Sequence, residues 1–298
     1  MQLSANGVRI EAEVFGPEGA EPLLLIMGLG MQLIAWPDGL VQELVGQGFR
    51  VIRFDNRDIG LSQPFDELGP ANVALAALLH TLHLPVKAPY QLADLARDAV
   101  GVLDALGIAK AHVCGASMGG MIAQHLGFAH AERVKSLTLM MTTSGDRSVP
   151  AESLKVRLAL MSRPRRAKTR AQRFQNIVDH YEGLYGLIGS PGYPTPPDRL
   201  RERIAEGLRR SFRPQAVARQ IVAIAADSDR AKGVSRITAP TLVLHGESDV
   251  LIPVAAGQDL ARRIPGARLE VIPGWGHDLP DELWPRLAAE IAAVARRA

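Results

Sequence analysis

A serine lies between small residues where an apolar run meets a helical pattern. Residues 115–119 read GASMG and match G-x-S-x-G, with Ser117 at the centre. In this pattern the two glycines leave room for a sharp strand-to-helix turn that strains the serine backbone and projects its hydroxyl. The alternative is a serine that caps the following helix, a common role that does not require both glycines. Ser117 is therefore a candidate nucleophile.

A serine nucleophile needs a base to accept its proton and an acid to orient that base. Asp249 follows an apolar run in the stretch GESDVLIP, and His277 follows the last apolar run in the glycine-rich stretch PGWGHDLP. If these runs are parallel strands, their carboxyl ends meet at one edge of the sheet, in the chain order Ser, Asp, His. We therefore expect the three side chains to converge as a catalytic triad.

Other titratable residues near these positions have more ordinary explanations. Glu247 precedes the turn that carries Asp249, and Asp278 is too close in sequence to His277 for easy contact between the two side chains. Three other histidines are expected in core, surface or turn positions: His112, His125 and His245.

Acyl transfer also requires hydrogen-bond donors for the oxyanion that forms when the serine attacks. The amide of Met118 is part of the turn itself. The second donor is expected from the loop MGLG at 27–30, and we assign it to the amide of Leu29. Alternatively, these glycines only form a turn. Gly28 and Trp36, which lie in and just after this loop, are predicted to contact the substrate.

Composition is typical of a globular protein. The 298 residues suffice for one large α/β domain or two smaller ones, and 47% hydrophobic residues support a sizeable core. The apolar segment 23–36 has fourteen residues, fewer than the roughly twenty that a membrane span needs. The first ten residues lack the features of a secretory signal, so we expect a cytoplasmic protein without a membrane span. The single cysteine, Cys114, excludes an internal disulfide and is expected to fill the core.

Strand-like and helix-like segments alternate along most of the chain, after an N-terminal β-ribbon. This alternation predicts an α/β fold with a mostly parallel central sheet and helices on both faces. Residues 145–232 contain no strand-like run, but they contain four helix-like stretches, at 152–162, 167–185, 198–211 and 214–227. We therefore expect a core domain of residues 1–144 and 233–298, and a helical cap of residues 145–232 inserted after the sixth strand and over the pocket. Within the cap, SPGYPTPP at 190–197 is expected to be a mobile connection.

Charge is unevenly distributed along the chain, although the net charge is only +3. Residues 145–232 contain 18 Lys and Arg against 9 Asp and Glu. Such a segment can attract anionic substrates, nucleic acid or a membrane surface. The arginines alternate with helix-spaced apolar residues and few aromatic side chains accompany them, which favours a solvated helix face. We therefore expect no nucleic-acid partner.

Taken together, four motifs resemble the α/β-hydrolase superfamily over essentially the whole chain. GASMGG resembles its nucleophile elbow, IMGLGM its oxyanion loop, GESDVLIP its acid loop and GWGHDLP its histidine loop. Within the superfamily, AWPDGL and RFDNRDIGLS are similar to the capped carboxylic-ester hydrolases of the aclacinomycin methylesterase type. The superfamily often has His-Gly in the oxyanion loop, where this chain has Met27-Gly28. The stretch DNRDIGLS resembles a loop brace of the family, which implies structural roles for Asp55, Arg57 and Asp58.

The resemblance implies a serine esterase that acts on a small-molecule ester and requires no metal or organic cofactor. In such an enzyme Ser117 attacks the ester carbonyl, His277 transfers the proton and Asp249 orients the imidazole. A serine nucleophile argues against haloalkane dehalogenases and epoxide hydrolases, which use aspartate. Perhydrolase, lactonase, carbon–carbon bond hydrolase and acyltransferase activities share the triad, and a non-catalytic ligand-binding protein is a further hypothesis. A homo-oligomer is compatible with each of these.

Overall fold

An eight-stranded sheet runs through the computed structural model, which describes residues 1–150 and 152–298. The strands are β1 (Gln2–Ala5), β2 (Val8–Phe15), β3 (Glu21–Ile26), β4 (Phe49–Phe54), β5 (Ala111–Ala116), β6 (Val134–Met140), β7 (Thr241–Gly246) and β8 (Arg268–Ile272). The helices are α1 (Asp38–Gly46), α2 (Val73–Thr81), α3 (Leu92–Ala105), α4 (Met118–Ala129), α5 (Leu154–Met161), α6 (Arg170–Ile188), α7 (Pro197–Arg210), α8 (Pro214–Ala226), α9 (Arg230–Gly233), α10 (Val254–Arg263) and α11 (Trp284–Ala295).

The strands are ordered β1-β2-β4-β3-β5-β6-β7-β8 across the sheet. β1 and β2 pair antiparallel with their neighbours, whereas the pairs from β4 through β8 are parallel. The predicted N-terminal ribbon and mostly parallel sheet are therefore confirmed. Because the parallel strands point the same way, the loops after β3, β5, β7 and β8 leave from the same edge of the sheet.

Hydrophobic clusters cover both faces of the sheet. In β3, Leu24 and Ile26 belong to the cluster that α3 and α4 cover, while Leu23 and Leu25 belong to the cluster beneath α1 and α11. Successive strand side chains point to opposite faces, so a strand with helices on both sides must be apolar at every position. This explains why the sequence of β3 shows no alternation.

Five helices, α5 to α9, lie between β6 and β7 in the described residues, and they form the helical insertion expected after the sixth strand. α6 and α7 pack together around a small cluster that includes Val178, Ile204 and Ala205. The boundaries of the cap at residues 145 and 232 stay a prediction.

The structure adds α2, which the sequence analysis did not predict. Its residues VALAALLHT are apolar on all sides, so no hydrophobic stripe identifies the helix. Ala76 is its buried residue, and the helix packs against α8 of the cap. A local signal did exist, because the Asn72 side chain accepts a hydrogen bond from the Leu75 amide as an N-cap.

None of the helices in the described residues combines the length and the apolar character needed to cross a bilayer.

Candidate active site

Ser117 lies in the turn between β5 and α4 with a strained backbone. Its φ of 55° and ψ of −121° are unfavourable for a residue with a side chain. Two hydrogen bonds hold this conformation, since the Ser117 amide donates to the Met140 carbonyl at 3.0 Å and the Thr142 hydroxyl donates to the Ser117 carbonyl at 2.7 Å. The Ser117 side chain forms no capping hydrogen bond to α4. The geometry therefore favours the nucleophile elbow over the helix-cap alternative.

Both flanking glycines are required by close backbone contacts. A Cβ on Gly119 would lie 2.0 Å from the Ile26 carbonyl oxygen, and one on Gly115 would lie 2.3 Å from the Gly119 carbonyl oxygen. Neither backbone can move away without displacing β3 or α4. The steric reason for glycine at these positions, inferred from the sequence, agrees with this packing.

A hydrogen-bonded acid–base pair lies in the loops after β7 and β8. Nδ1 of His277 is 2.7 Å from Oδ2 of Asp249. The other carboxylate oxygen of Asp249 accepts hydrogen bonds from the amides of Leu251 and Ile252 at 2.9 and 2.8 Å. Asp249 is buried, whereas His277 is partly exposed. The carboxylate is therefore fixed in place and can orient the imidazole.

The Ser117 hydroxyl and His277 follow β5 and β8, whose carboxyl ends lie on the same side of the sheet. Among the described residues, no hydrogen bond joins the Ser117 hydroxyl to the imidazole. Such a bond is often long in a free enzyme and tightens when substrate binds. The acid and the base of the proposed triad are therefore hydrogen-bonded to each other, whereas within the described part of the chain the serine is not yet bonded to the base. The assignment of the full triad stays a prediction.

Two backbone amides next to the serine are free to donate to an oxyanion. Within the described residues, neither the amide of Met118, the first residue of α4, nor the amide of Leu29 donates a hydrogen bond. The loop that carries Leu29 packs directly on the nucleophile, because a Cβ added to Gly28 would lie 3.1 Å from the Ser117 Cβ. Gly28, predicted to contact substrate, therefore lies against the candidate nucleophile.

The cap holds this oxyanion loop through Gln220, a contact that the sequence analysis missed. Oε1 of Gln220, on α8, accepts a hydrogen bond from the Gly30 amide at 2.9 Å. The side chain is fully buried, and its Nε2 has no partner among the described residues. No local sequence signal marks this contact, which joins residues 190 positions apart.

The stretch 190–197 is docked rather than mobile where it begins, which corrects the sequence-based expectation. The His277 amide donates to the Ile188 carbonyl at 2.7 Å, and the Gly192 amide donates to the Gly274 carbonyl at 2.9 Å. The Ser190 hydroxyl accepts from the Gly276 amide at 2.9 Å and donates to Asp278. The end of α6 and the residues after it therefore fix the backbone of the histidine loop.

Burial raises the pKa of the Asp278 carboxyl, although the hydrogen bond from Ser190 lowers it. Burial likewise lowers the pKa of His245, whose Nε2 donates to the Ile252 carbonyl at 2.8 Å. Both side chains contact the loops that carry the acid and the base, Asp278 through Ser190 and His245 through the Ile252 carbonyl. Their exclusion from the triad stays a prediction.

Trp36 occupies the core rather than a pocket, contrary to the prediction of substrate contact. Its side chain is fully buried in the cluster between the sheet, α1 and α11. An indole without exposed surface cannot touch a substrate unless the core rearranges. Proximity in sequence to the oxyanion loop was misleading, because the chain turns into the core immediately after that loop. Trp36 is therefore not part of the proposed site.

The stretch DNRDIGLS braces the loops, as the family resemblance implied. Asp55 is fully buried and accepts hydrogen bonds from the Leu33 and Leu61 amides at 2.7 and 2.8 Å and from Arg210 of the cap at 2.7 Å. Burial raises the pKa of this carboxyl, whereas its three donors lower it. Arg57 pairs with Asp98 of α3 at 2.5 Å. These contacts are structural, since they are directed at backbone and buried partners.

Cys114 is fully buried in β5, and burial raises the pKa of its thiol. A buried, neutral thiol is a poor nucleophile. Its position agrees with the expected role as core filler.

A family described as "alpha/beta hydrolase fold" matches residues 21–282 of the sequence. This chain belongs to the α/β-hydrolase family. The hydrolase is 31% identical to rhodomycin D methylesterase of Streptomyces peucetius over 317 aligned positions, which cover 99% of this chain and 98% of the relative. It is 25% identical to a 2-hydroxy-6-oxononadienedioate/2-hydroxy-6-oxononatrienedioate hydrolase of Cupriavidus pinatubonensis, over 87% of this chain and 81% of that protein.

Solved structures with this fold cover the hydrolase from end to end. A meta-cleavage product hydrolase of Pseudomonas fluorescens superimposes with a TM-score of 0.75 at 20% identity, covering 100% of this chain and 97% of its own. The enol-lactonase of Burkholderia xenovorans superimposes with a TM-score of 0.72 at 24% identity, covering 99% and 98%. At these identities the likeness establishes the fold alone. The fold predicted from the sequence is therefore confirmed.

Proposed function

We propose that the protein is a serine hydrolase that cleaves carboxylic esters through an acyl-enzyme intermediate. The observation that carries this proposal is the strained Ser117 elbow at the same sheet edge as the hydrogen-bonded pair of His277 and Asp249. Whole-length similarity to a methylesterase supports the choice of esters among the reactions that this fold hosts.

In the acylation step, the Ser117 hydroxyl attacks the ester carbonyl while His277 Nε2 accepts its proton. The imidazolium that forms is stabilised by Asp249, which contacts Nδ1 at 2.7 Å. The same proton then passes to the leaving alcohol, and Ser117 remains acylated. A water molecule then gives a proton to His277 and attacks the acyl carbonyl. As the bond between the acyl carbon and the Ser117 oxygen breaks, His277 returns that proton to Ser117, and the carboxylic acid is released.

The tetrahedral intermediate carries a negative charge on the former carbonyl oxygen. The amides of Met118 and Leu29 are assigned to it, and each such donor contributes roughly 3 to 4 kcal/mol in related sites. Their backbone positions depend on α4 and on the loop held by Gln220. The donors are therefore fixed before the reaction begins, which avoids a reorganisation cost at the transition state.

Methyl esters are the substrates to test first. The support is similarity along nearly the whole length to rhodomycin D methylesterase, including the region of the cap. Small lactones and carbon–carbon bond substrates belong in the same panel, since relatives with those activities match at lower identity.

The deciding experiment compares wild type, Ser117→Ala and His277→Gln on p-nitrophenyl acetate and butyrate. Wild type is expected to release p-nitrophenol with an initial burst when deacylation is slow, and both variants are expected to lose at least about a thousandfold in kcat. Ser235→Ala, at an exposed serine, is the matched control and is expected to behave like wild type. Mass spectrometry of the quenched reaction should find the acyl group on Ser117.

Two outcomes would overturn the proposal. One is wild-type protein that releases no product from any ester in the panel while binding the same ligands as Ser117→Ala, which would indicate a binding protein. The other is full activity in Ser117→Ala, which would require a different nucleophile.

A further inference from the structure

The first helix of the cap, α5, exposes its apolar residues to solvent. Leu154, Leu158 and Met161 are 70%, 59% and 73% exposed. Their spacing of four and three residues places them on one helix face, while Val156, on the opposite face, is buried. α5 thus buries the apolar Val156, as an ordinary surface helix does, but it also turns a second apolar face toward solvent. An apolar stripe of this kind facing water marks an interaction surface.

Positive charges surround this stripe. Residues 153–173 contain eight Lys and Arg and no Asp or Glu. In the described parts of the chain, one of the eight forms an ion pair, Arg157 with Glu152 at 2.8 Å. The other seven are Lys155, Arg163, Arg165, Arg166, Lys168, Arg170 and Arg173. Elsewhere in the cap, on α7, an arginine such as Arg201 is neutralised by acidic residues of α6.

We propose that α5 and the basic residues after it, together residues 153–173, dock on the surface of an anionic lipid bilayer. Leucine and methionine side chains enter the boundary between headgroups and acyl chains, while lysine and arginine bind lipid phosphates. The combination of a solvent-facing apolar stripe with unpaired cations fits this surface. We refer to residues 153–173 as the α5 surface.

Two other occupants fit the α5 surface less well. A second copy of the chain would bring two sets of eight basic residues together, and like charges in close contact are unfavourable. Single-stranded nucleic acid is bound largely by stacking of its bases on aromatic side chains, and residues 153–173 contain none. Neither occupant explains the exposed leucines as well as a bilayer does.

The test is flotation of the full-length protein with vesicles of phosphatidylcholine alone or of phosphatidylcholine with phosphatidylglycerol. Wild type is expected to float with the anionic vesicles at low salt, and much less with neutral vesicles or at high salt. The variant Leu154→Ser/Leu158→Ser/Met161→Ser should lose at least about tenfold in partitioning. The variant Arg163→Gln/Arg165→Gln/Arg166→Gln should lose as much, since each cation near an anionic surface contributes roughly fivefold.

The chain offers a matched control on α2. Leu75 and Leu78 are 49% and 55% exposed, and no Lys, Arg, Asp or Glu occurs in residues 69–86. Leu75→Ser/Leu78→Ser should therefore bind anionic vesicles like wild type. Circular dichroism and ester hydrolysis without vesicles check that each variant is folded, and neither α5 nor α2 carries a proposed catalytic residue.

The proposal fails if wild type ignores anionic vesicles, or if the α2 variant loses as much partitioning as the α5 variants. It also fails if sedimentation shows a dimer that the α5 leucine variant dissociates, because the stripe would then be a protein–protein interface. Salt-sensitive binding to single-stranded DNA that survives the leucine substitutions would indicate nucleic acid instead. Vesicle binding is measured without substrate, so its outcome does not depend on the esterase proposal.

Discussion

Ser117 keeps its positive φ because hydrogen bonds and close packing from the surrounding residues hold the turn in this conformation. The Met140 carbonyl and the Thr142 hydroxyl hold the serine backbone, and Gly115 and Gly119 allow β3, β5 and α4 to approach closely. The strain is thus compensated by hydrogen bonds and packing elsewhere in the turn. Among the described residues, the Ser117 hydroxyl forms no capping hydrogen bond that would compete with its role as a nucleophile.

Gly119→Ala is expected to disrupt this turn. Its Cβ would lie 2.0 Å from the Ile26 carbonyl oxygen, so β3 or α4 must shift, at a cost of about 3 kcal/mol or more in the free energy of unfolding. Gly183→Ala on α6 is the control, because a Cβ at that position would meet no atom within 4 Å. This control should gain up to about 1 kcal/mol from helix propensity. Urea denaturation measures both, and unchanged stability in Gly119→Ala would contradict the steric account of the elbow.

His245 is expected to make stability depend on pH. Burial lowers its pKa in the folded protein, with Asp249 at 3.8 Å acting in the opposite direction and His277 in the same one. The folded imidazole therefore takes up its proton at a lower pH than the unfolded one, which binds a proton below about pH 6.5. The free energy of unfolding should fall as pH drops below that value, by up to about 1.4 kcal/mol per pH unit.

His245→Gln removes this proton uptake, so its stability should decline less than that of wild type between neutral and mildly acidic pH. Denaturant titrations across that range measure the difference in slope. The control is His83→Asn, at an exposed residue whose φ of 61° asparagine tolerates. Identical slopes for wild type and His245→Gln would show that folding does not lower the pKa of this imidazole.

At the scale of elements, α8 connects the cap to the oxyanion loop. Its adjacent residues Arg219 and Gln220 are both buried, and they contact Asp58 and Gly30 in two loops of the core. A helix of the cap therefore holds the loop whose Leu29 amide is a candidate oxyanion donor. A shift of α8 would move the loop that contains the Leu29 amide. In this loop Leu29 directly follows Gly28, which packs against the candidate nucleophile.

Gln220→Met is expected to lower kcat by at least about tenfold with little change in KM. Methionine keeps the length of the side chain but cannot accept the Gly30 hydrogen bond, so the Leu29 amide loses its alignment with the oxyanion. Steady-state kinetics on p-nitrophenyl butyrate measure the split between kcat and KM. Gln215→Met, on the exposed side of the same helix, is the control. A Gln220→Met variant with wild-type kcat would mean that the loop holds its shape without the cap.

At the scale of the molecule, buried charge pairs fasten the cap to the core. Arg219 contacts both oxygens of Asp58 at 2.6 and 2.9 Å, and Tyr90 donates to the same carboxylate at 3.1 Å. Arg210 contacts Asp55 at 2.7 Å. Both carboxylates are fully buried, so each depends on an arginine of the cap for its countercharge. The cap and the sheet are therefore expected to unfold together.

Arg219→Met is expected to lower the free energy of unfolding by about 3 to 5 kcal/mol, because it leaves the Asp58 carboxylate buried without its partner. Adding Asp58→Asn should recover part of the loss, since the uncompensated charge is then removed. Lys232→Met breaks an exposed pair with Asp229 and should barely change stability. A double-mutant cycle by denaturant titration measures the coupling, and full additivity of the two substitutions would contradict it.

The sequence by itself determined the features that local chemistry dictates. Two glycines around Ser117 specify an elbow, apolar runs of strand length specify the parallel sheet, and the order of strands directs Asp249 and His277 toward the same edge. These inferences depend on sterics and periodicity, which short stretches of sequence carry in full. The fold class and the pairing of His277 with Asp249 could therefore be predicted from the sequence.

Only the tertiary structure decided which residues support that chemistry. Trp36 lies in the core, Ser190 braces the histidine loop, Gln220 holds the Gly30 amide, and α5 turns its leucines outward. Each of these features depends on how the cap and the loops pack against the sheet, and the residues that contact one another are distant in sequence. A single sequence contains no periodic or steric signal for such contacts, because a hydrogen bond between distant residues is specified by the packing of the elements between them.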